Sequence, residues 1–104
     1  MTKKDEDRDL ADSGKTEIIP LSDSLEKILK FQCAKYRIKS NGKEEIGILS
    51  GEVLEHFPEG VIDVFGDDVV VYSRIITLLI GAFQDLEKSN GELRSKVERM
   101  EKRL

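Results

Sequence analysis

Residues 73–104 read SRIITLLIGAFQDLEKSNGELRSKVERMEKRL, and within them Ile76, Leu79, Phe83, Leu86, Asn90, Leu93, Val97, Met100 and Leu104 fall at alternating spacings of three and four. Side chains repeating every 3.5 residues stay on one face only if helices supercoil around one another. The stretch therefore predicts a coiled-coil seam and a protein that works as an oligomer. A second set of apolar residues, Ile75, Leu78, Ile80 and Ala82, lies off that seam between Ser73 and Leu86. Beyond Glu87 only the seam positions stay apolar. A helix apolar on several faces is normally buried, so its first turns are expected to pack into a globular head and its last turns to project as a stalk.

The stalk spans roughly two and a half heptads, a length at which an isolated coiled coil is marginal, so contacts at the head must help hold it. Asn90 falls at an a position, where a buried amide costs stability but pairs best with its own copies in register. Lys96 at g and Glu101 at the following e are placed to pair between parallel neighbours. A single amphipathic helix lying on its own domain is the alternative reading of the same pattern.

Working outward, 104 residues with a formal charge of −4 and 37% charged side chains leave room for one modest core plus solvated segments. The acidic balance argues against nonspecific nucleic-acid binding. The basic residues Arg94, Lys96, Arg99, Lys102 and Arg103 alternate with Glu92, Glu98 and Glu101, the pattern of a solvated helical exterior. The lone Cys33 lies in an apolar run and reads as a small buried hydrophobe. No stretch has transmembrane length and the N-terminus has no apolar signal region, so a soluble, cytoplasmic chain is expected.

Residues 1–14 carry many charges of both signs and almost no apolar side chains, which predicts disorder. Asp23 and Glu26 have the spacing of a capping box, predicting a short helix to about Lys30 that buries Leu25, Ile28 and Leu29. Alternation through Tyr36 and Ile38, then Ser40-Asn41-Gly42-Lys43, then Glu45 to Leu49 reads as a hairpin. Ser50 is expected to cap a helix holding Val53, Leu54 and Phe57, ended by Pro58 and Gly60. Residues Val61 to Phe65, a turn at Gly66-Asp67-Asp68, and Val69 to Tyr72 read as a second hairpin feeding the long helix. The fold class is therefore α+β. It divides into a charged segment (1–14), a head (15–72) and a long helix with its stalk (73–104).

Ile46-Gly47-Ile48-Leu49, Glu52-Val53, Phe57-Pro58-Glu59 and Val61, followed by Val71-Tyr72-Ser73-Arg74, Leu78-Leu79, Ala82 and Leu86, resemble the endosialidase-type intramolecular chaperone domain at the C-termini of phage tail spikes and fibres. Ile19-Pro20-Leu21 with Leu25, Lys27 and Leu29 is similar to that family's opening helix. The chain departs at Ser50-Gly51, where the family usually shows Ala-Gln. The resemblance implies a homotrimer that holds a β-rich viral fibre in register while it folds in the host cytoplasm. It also implies head residues Gly47, Glu52, Phe57, Pro58 and Tyr72; from the composition and motifs, no cofactor, metal, nucleic acid or membrane partner is expected.

Family members also release the domain by Ser/Lys self-cleavage at a motif resembling Ser-Asp-x-x-x-Lys. Aligning its lysine with Lys15 puts Leu10 at the nucleophile position, and a one-residue deletion puts Ala11 there. Neither carries a hydroxyl. Ser13 is the nearest serine, but it stands only two residues from Lys15, too close for the motif's spacing. Ser13 and Lys15 are thus the only catalytic candidates, and the expectation is a form that does not cut itself and stays in the virion tail. His56, the one histidine, and the pair Glu52 and Glu55 lack the second partners that metal binding or acid–base chemistry needs. A small dimeric adaptor built on the same helix is the runner-up function.

Overall fold

The computed structural model describes residues 14–104. The chain is α+β, with short helices, two antiparallel hairpins and one long C-terminal helix. In order these are α1 (Ser24–Ile28), β1 (Cys33–Arg37), β2 (Glu44–Ile48), α2 (Ser50–His56), a 3-10 turn (Pro58–Gly60), β3 (Val61–Val64), β4 (Asp67–Val70) and α3 (Tyr72–Arg103). The disorder expected for residues 1–14 falls, apart from Gly14, outside the described residues.

Helix α3 runs 32 residues without a break, about 48 Å at 1.5 Å per residue. Among the described residues only its first half packs against other elements. Ile75, Leu78 and Ala82 are buried there, at spacings of three and four that place them on one stripe. Leu78 and Ile75 join Val53 and Phe57 in the core, with Ile28, Phe31, Ile48, Val61 and Val70 packed around them. One stripe of α3, one face of α2 and the inner ends of both hairpins therefore make the head.

Helix α1 crosses α3 at Gly81, where a side chain would run into the Ser24 hydroxyl 2.6 Å away. The expected capping box does not form. Asp23 sits at φ 55° and its side chain makes no capping bond; instead the Leu25 N–H donates to Asp85 Oδ2 of α3 at 3.2 Å. A carboxylate from another element thus satisfies one of the helix's orphan donors. Helix α1 also ends two residues early, and Leu29 is 73% exposed rather than buried.

The first hairpin pairs Cys33 with Ile48 through Arg37 with Glu44. Its loop closes by Gly42 N–H donating to the Ile38 carbonyl at 2.8 Å, with positive φ at Gly42 but not at Asn41. Glu44 takes Lys35 and Arg37 at 3.1 and 3.2 Å; such exposed pairs add little stability but favour this register. Cys33 is exposed, against expectation, because a two-stranded ribbon has no second layer over its outer face. Ile46 is likewise 80% exposed.

Ser50 is the first helical residue of α2 rather than its cap, the N-cap being Leu49, and Leu54 faces outward at 45% exposure. In the second hairpin the turn is Phe65-Gly66, one residue earlier than expected, with φ 52° and 87°. Two consecutive positive φ values match the twist of paired strands, and that geometry outweighs the preference for a polar turn residue. Asp67 and Asp68 consequently belong to β4, opposite Val64 and Asp63.

Gly60 is the tightest point of the core. A Cβ there would lie 2.7 Å from Phe57 Cδ2, 2.9 Å from Val53 Cγ1 and 3.1 Å from Ile75 Cδ1. All three neighbours are buried core side chains with no room to withdraw. Gly60→Ala is expected to destabilise the fold by about 1–3 kcal/mol, the range for overpacking, read as a lower urea midpoint with unchanged slope.

Candidate functional site

Successive residues of a helix are turned by 100°, so the stripe through Ile75, Leu78 and Ala82 that faces the head leaves the neighbouring stripe bare. Along that stripe Ile76 is 57% exposed, Leu79 52%, Phe83 69%, Leu86 45%, Leu93 60%, Val97 45% and Met100 65%. Asn90 and Leu104 are exposed too, and from Phe83 to Leu104 every residue is exposed. This is a continuous apolar ladder with no cover from the described residues, interrupted once by an amide. Large uncovered apolar surfaces mark interaction sites in soluble proteins.

Ile80 is 56% exposed, although the sequence places it among the head-packing residues. Its position, e in the heptad, lies on the far side of the seam from the head. The bare surface beside the head is therefore wider than the seam, comprising d, a and e positions, and it narrows to a and d along the stalk.

Of the head residues that the resemblance singles out, Gly47 and Tyr72 lie where the first hairpin meets α3, and Glu52, Phe57 and Pro58 lie on α2, at its end and in the turn that follows. Tyr72 begins α3, and its hydroxyl accepts a hydrogen bond from the Ile48 N–H at 3.0 Å. Gly47 makes this possible, since a Cβ at that position would collide with the Tyr72 hydroxyl and crowd that of Tyr36. Glu52 Oε1 accepts the Gln32 N–H at 3.1 Å, tying α2 to the start of β1. Phe57 is 3% exposed in the core, and Pro58 opens the 3-10 turn at its end. These roles are positional: Tyr72 holds the first hairpin to α3 and Glu52 holds α2 to the start of β1, and the five residues bring together no acid–base pair.

Of the catalytic candidates, Ser13, like Leu10 and Ala11, lies outside the described residues, and Lys15 sits in the exposed segment before α1. His56 faces Glu55 at 3.7 Å on the surface, while Glu52 is engaged with the backbone of Gln32. Among the described residues no three His, Cys, Asp or Glu side chains come together to hold a metal. No helix among them is long and apolar enough to cross a membrane.

Asp85, Ser24 and Gly81, which lock α1 onto α3, are absent from the sequence reading. Their signal was there: Asp85 continues the Ile75, Leu78, Ala82 spacing by one further step of three. Arg74 was named only as part of the resembling motif, without a role; its guanidinium donates to the Glu59 carbonyl at 2.8 Å and ties α3 to the 3-10 turn. No protein-family model matches this sequence, and no curated protein is significantly similar to it.

Proposed function

We propose that this chain is an assembly module, a parallel homotrimeric folding chaperone for a β-rich viral fibre, similar to the endosialidase-type domains. Residues Ile76 to Leu104 form its clamp, and the head presents itself to the immature fibre chains. The observation that carries the reading is the bare seam, exposed along its whole length beside a stripe that the head already buries. A helix reaching beyond its own domain with such a seam gains stability by pairing with other helices, and an asparagine at an a position favours copies of itself in register. The trimer, as against the dimer, rests on the resemblance.

Intertwined β-fibres must bring distant segments together before their contacts form, which makes their folding slow. A clamp at one end raises the effective concentration of the three chains and sets their register. The chain acts in the host cytoplasm during virion assembly. It stays attached afterwards, because neither Leu10 nor Ala11 supplies a nucleophile.

The test is refolding of a β-rich fibre segment fused ahead of this chain, scored on a gel as detergent-resistant trimer. The fusion is expected to give several times the trimer yield of the fibre alone, in one uncut band. Equal yields would overturn the chaperone reading, and a fragment ending near residue 14 would overturn the uncut state.

A further inference from the structure

Two facts about the hairpins point to an occupant that the seam does not account for. The first is that, among the described residues, each sheet has two strands, and an isolated two-stranded sheet is marginal and carries open edges that invite another strand. The second is a cleft of about 520 Å³ between them, lined by Tyr36, Ile48 and Leu49 on one side and by Asp68, Val69 and Tyr72 on the other. Consecutive strand residues point to opposite faces. A cleft touching both Asp68 and Val69, and reaching Val70, therefore meets β4 along its edge rather than over one face.

The backbone polarity of these edges follows from the register. Ile38 N–H donates to the Lys43 carbonyl, so in an alternating antiparallel ladder the groups of Glu44, Ile46 and Ile48 turn outward from β2. Ile48 bears this out, since its N–H reaches the Tyr72 hydroxyl instead of β1. Val71 N–H donates to the Gly60 carbonyl, and by the same alternation Asp68 and Val70 turn their backbone groups outward from β4. Of these residues Ile48, Asp68 and Val70 line the cleft, and the Ile48 N–H is taken by Tyr72, so the cleft sets the outward peptide groups of β4 beside an apolar lining, the two features by which an added strand is recognised.

Charge narrows the occupant further. Asp68 lies directly across from Asp63, with Asp67 beside it, a like-charge arrangement that costs stability unless a cation approaches. Among the described residues lining the cleft there is no basic side chain.

We propose that the cleft between β2 and β4 docks an extended segment of the client chain by strand addition, with apolar side chains at alternate positions and a lysine or arginine set against Asp68. This rests on the chaperone reading and names how the head holds an unfolded client: through backbone groups that every β-forming segment offers, with loose demands on side chains. The Tyr72 hydroxyl, which caps the Ile48 N–H, marks the end of the open edge and sets where the added strand stops.

The probe is a labelled peptide, acetyl-Lys-Val-Thr-Val-Thr-Val-Lys-amide, titrated with the full chain by fluorescence anisotropy. A version N-methylated at alternate residues and one with glutamate for lysine accompany it. Saturable binding is expected, weakened by about tenfold or more on N-methylation through loss of at least two backbone hydrogen bonds. Asp68→Lys, a substitution on an exposed strand, is expected to reverse the preference from the lysine peptide to the glutamate peptide. Amide exchange at Asp68 and Val70 should slow on adding the peptide.

Absent binding, equal binding of the N-methylated peptide, or an unchanged preference in Asp68→Lys would each overturn the proposal. So would slow exchange at Asp68 and Val70 in the free chain that is lost on dilution, which would assign the cleft to a second copy. Light scattering of the same samples separates the two readings. An oligomer that binds no peptide refutes the cleft and leaves the clamp, whereas a monomer that binds upholds the cleft and refutes the clamp.

Discussion

Leu93→Asp is expected to convert the protein from a species of three times the 11.8 kDa chain mass to a single chain, measured by light scattering across a range of concentrations. Leu93 is 60% exposed and lies more than two turns beyond Ala82, the last buried residue of α3, so the substitution takes nothing from the head. In the proposed trimer it would bury three carboxylates against one another at one layer of the seam. Removing several unpaired charges from water costs more than a stalk of about two and a half heptads gains. The stalk should then lose helix content, because a segment of this length is marginal alone, while the head keeps its tertiary signals. A wild-type dimer would favour the adaptor reading. A wild-type monomer, or an unchanged mass in the variant, would refute the clamp.

The value of that experiment follows from a division of labour within α3 that was largely legible in the sequence. The 3.5-residue period of Ile76 to Leu104 was visible because a helix writes its faces into spacing. The off-seam residues Ile75, Leu78 and Ala82 marked the stripe that the head covers. Hairpins and helices fell within a residue or two of expectation, since Gly42, Gly66 and Pro58 punctuate the chain for local steric reasons. Other features were hidden because partners supplied by the tertiary fold decide them. Asp23 and Glu26 carry the letters of a capping box, yet Asp85, 60 residues from Leu25, supplies a side-chain acceptor at the helix start.

Cys33, Leu29 and Ile80 were placed inside by their chemistry. A head with so few layers has no inside for them, and the latter two stand 73% and 56% exposed. The cleft was invisible for the same reason. Tyr36, Ile48, Val69 and Tyr72 line it together only because two hairpins and the start of α3 converge; no spacing along the chain announces that.

Leu78 and Leu79 are adjacent in sequence and chemically identical, and they are expected to fail in different ways. Leu78 is fully buried in the head core, whereas Leu79 is 52% exposed on the bare seam. Leu78→Ala leaves a cavity among Val53, Phe57 and Ile75 and should cost about 2–5 kcal/mol of fold stability. Because that cost is intramolecular, the urea midpoint should drop by a similar amount at low and at high protein concentration. Leu79→Ala removes no contact from the core of the single chain. It should instead shift assembly to higher concentration, with the loss of midpoint growing on dilution, as mass action requires of a group that acts only in the oligomer. Unfolding both variants at two protein concentrations about a hundredfold apart separates the effects. If the two leucines respond alike, one face of α3 has been assigned wrongly, and the bare seam loses its claim to be the working surface of the protein.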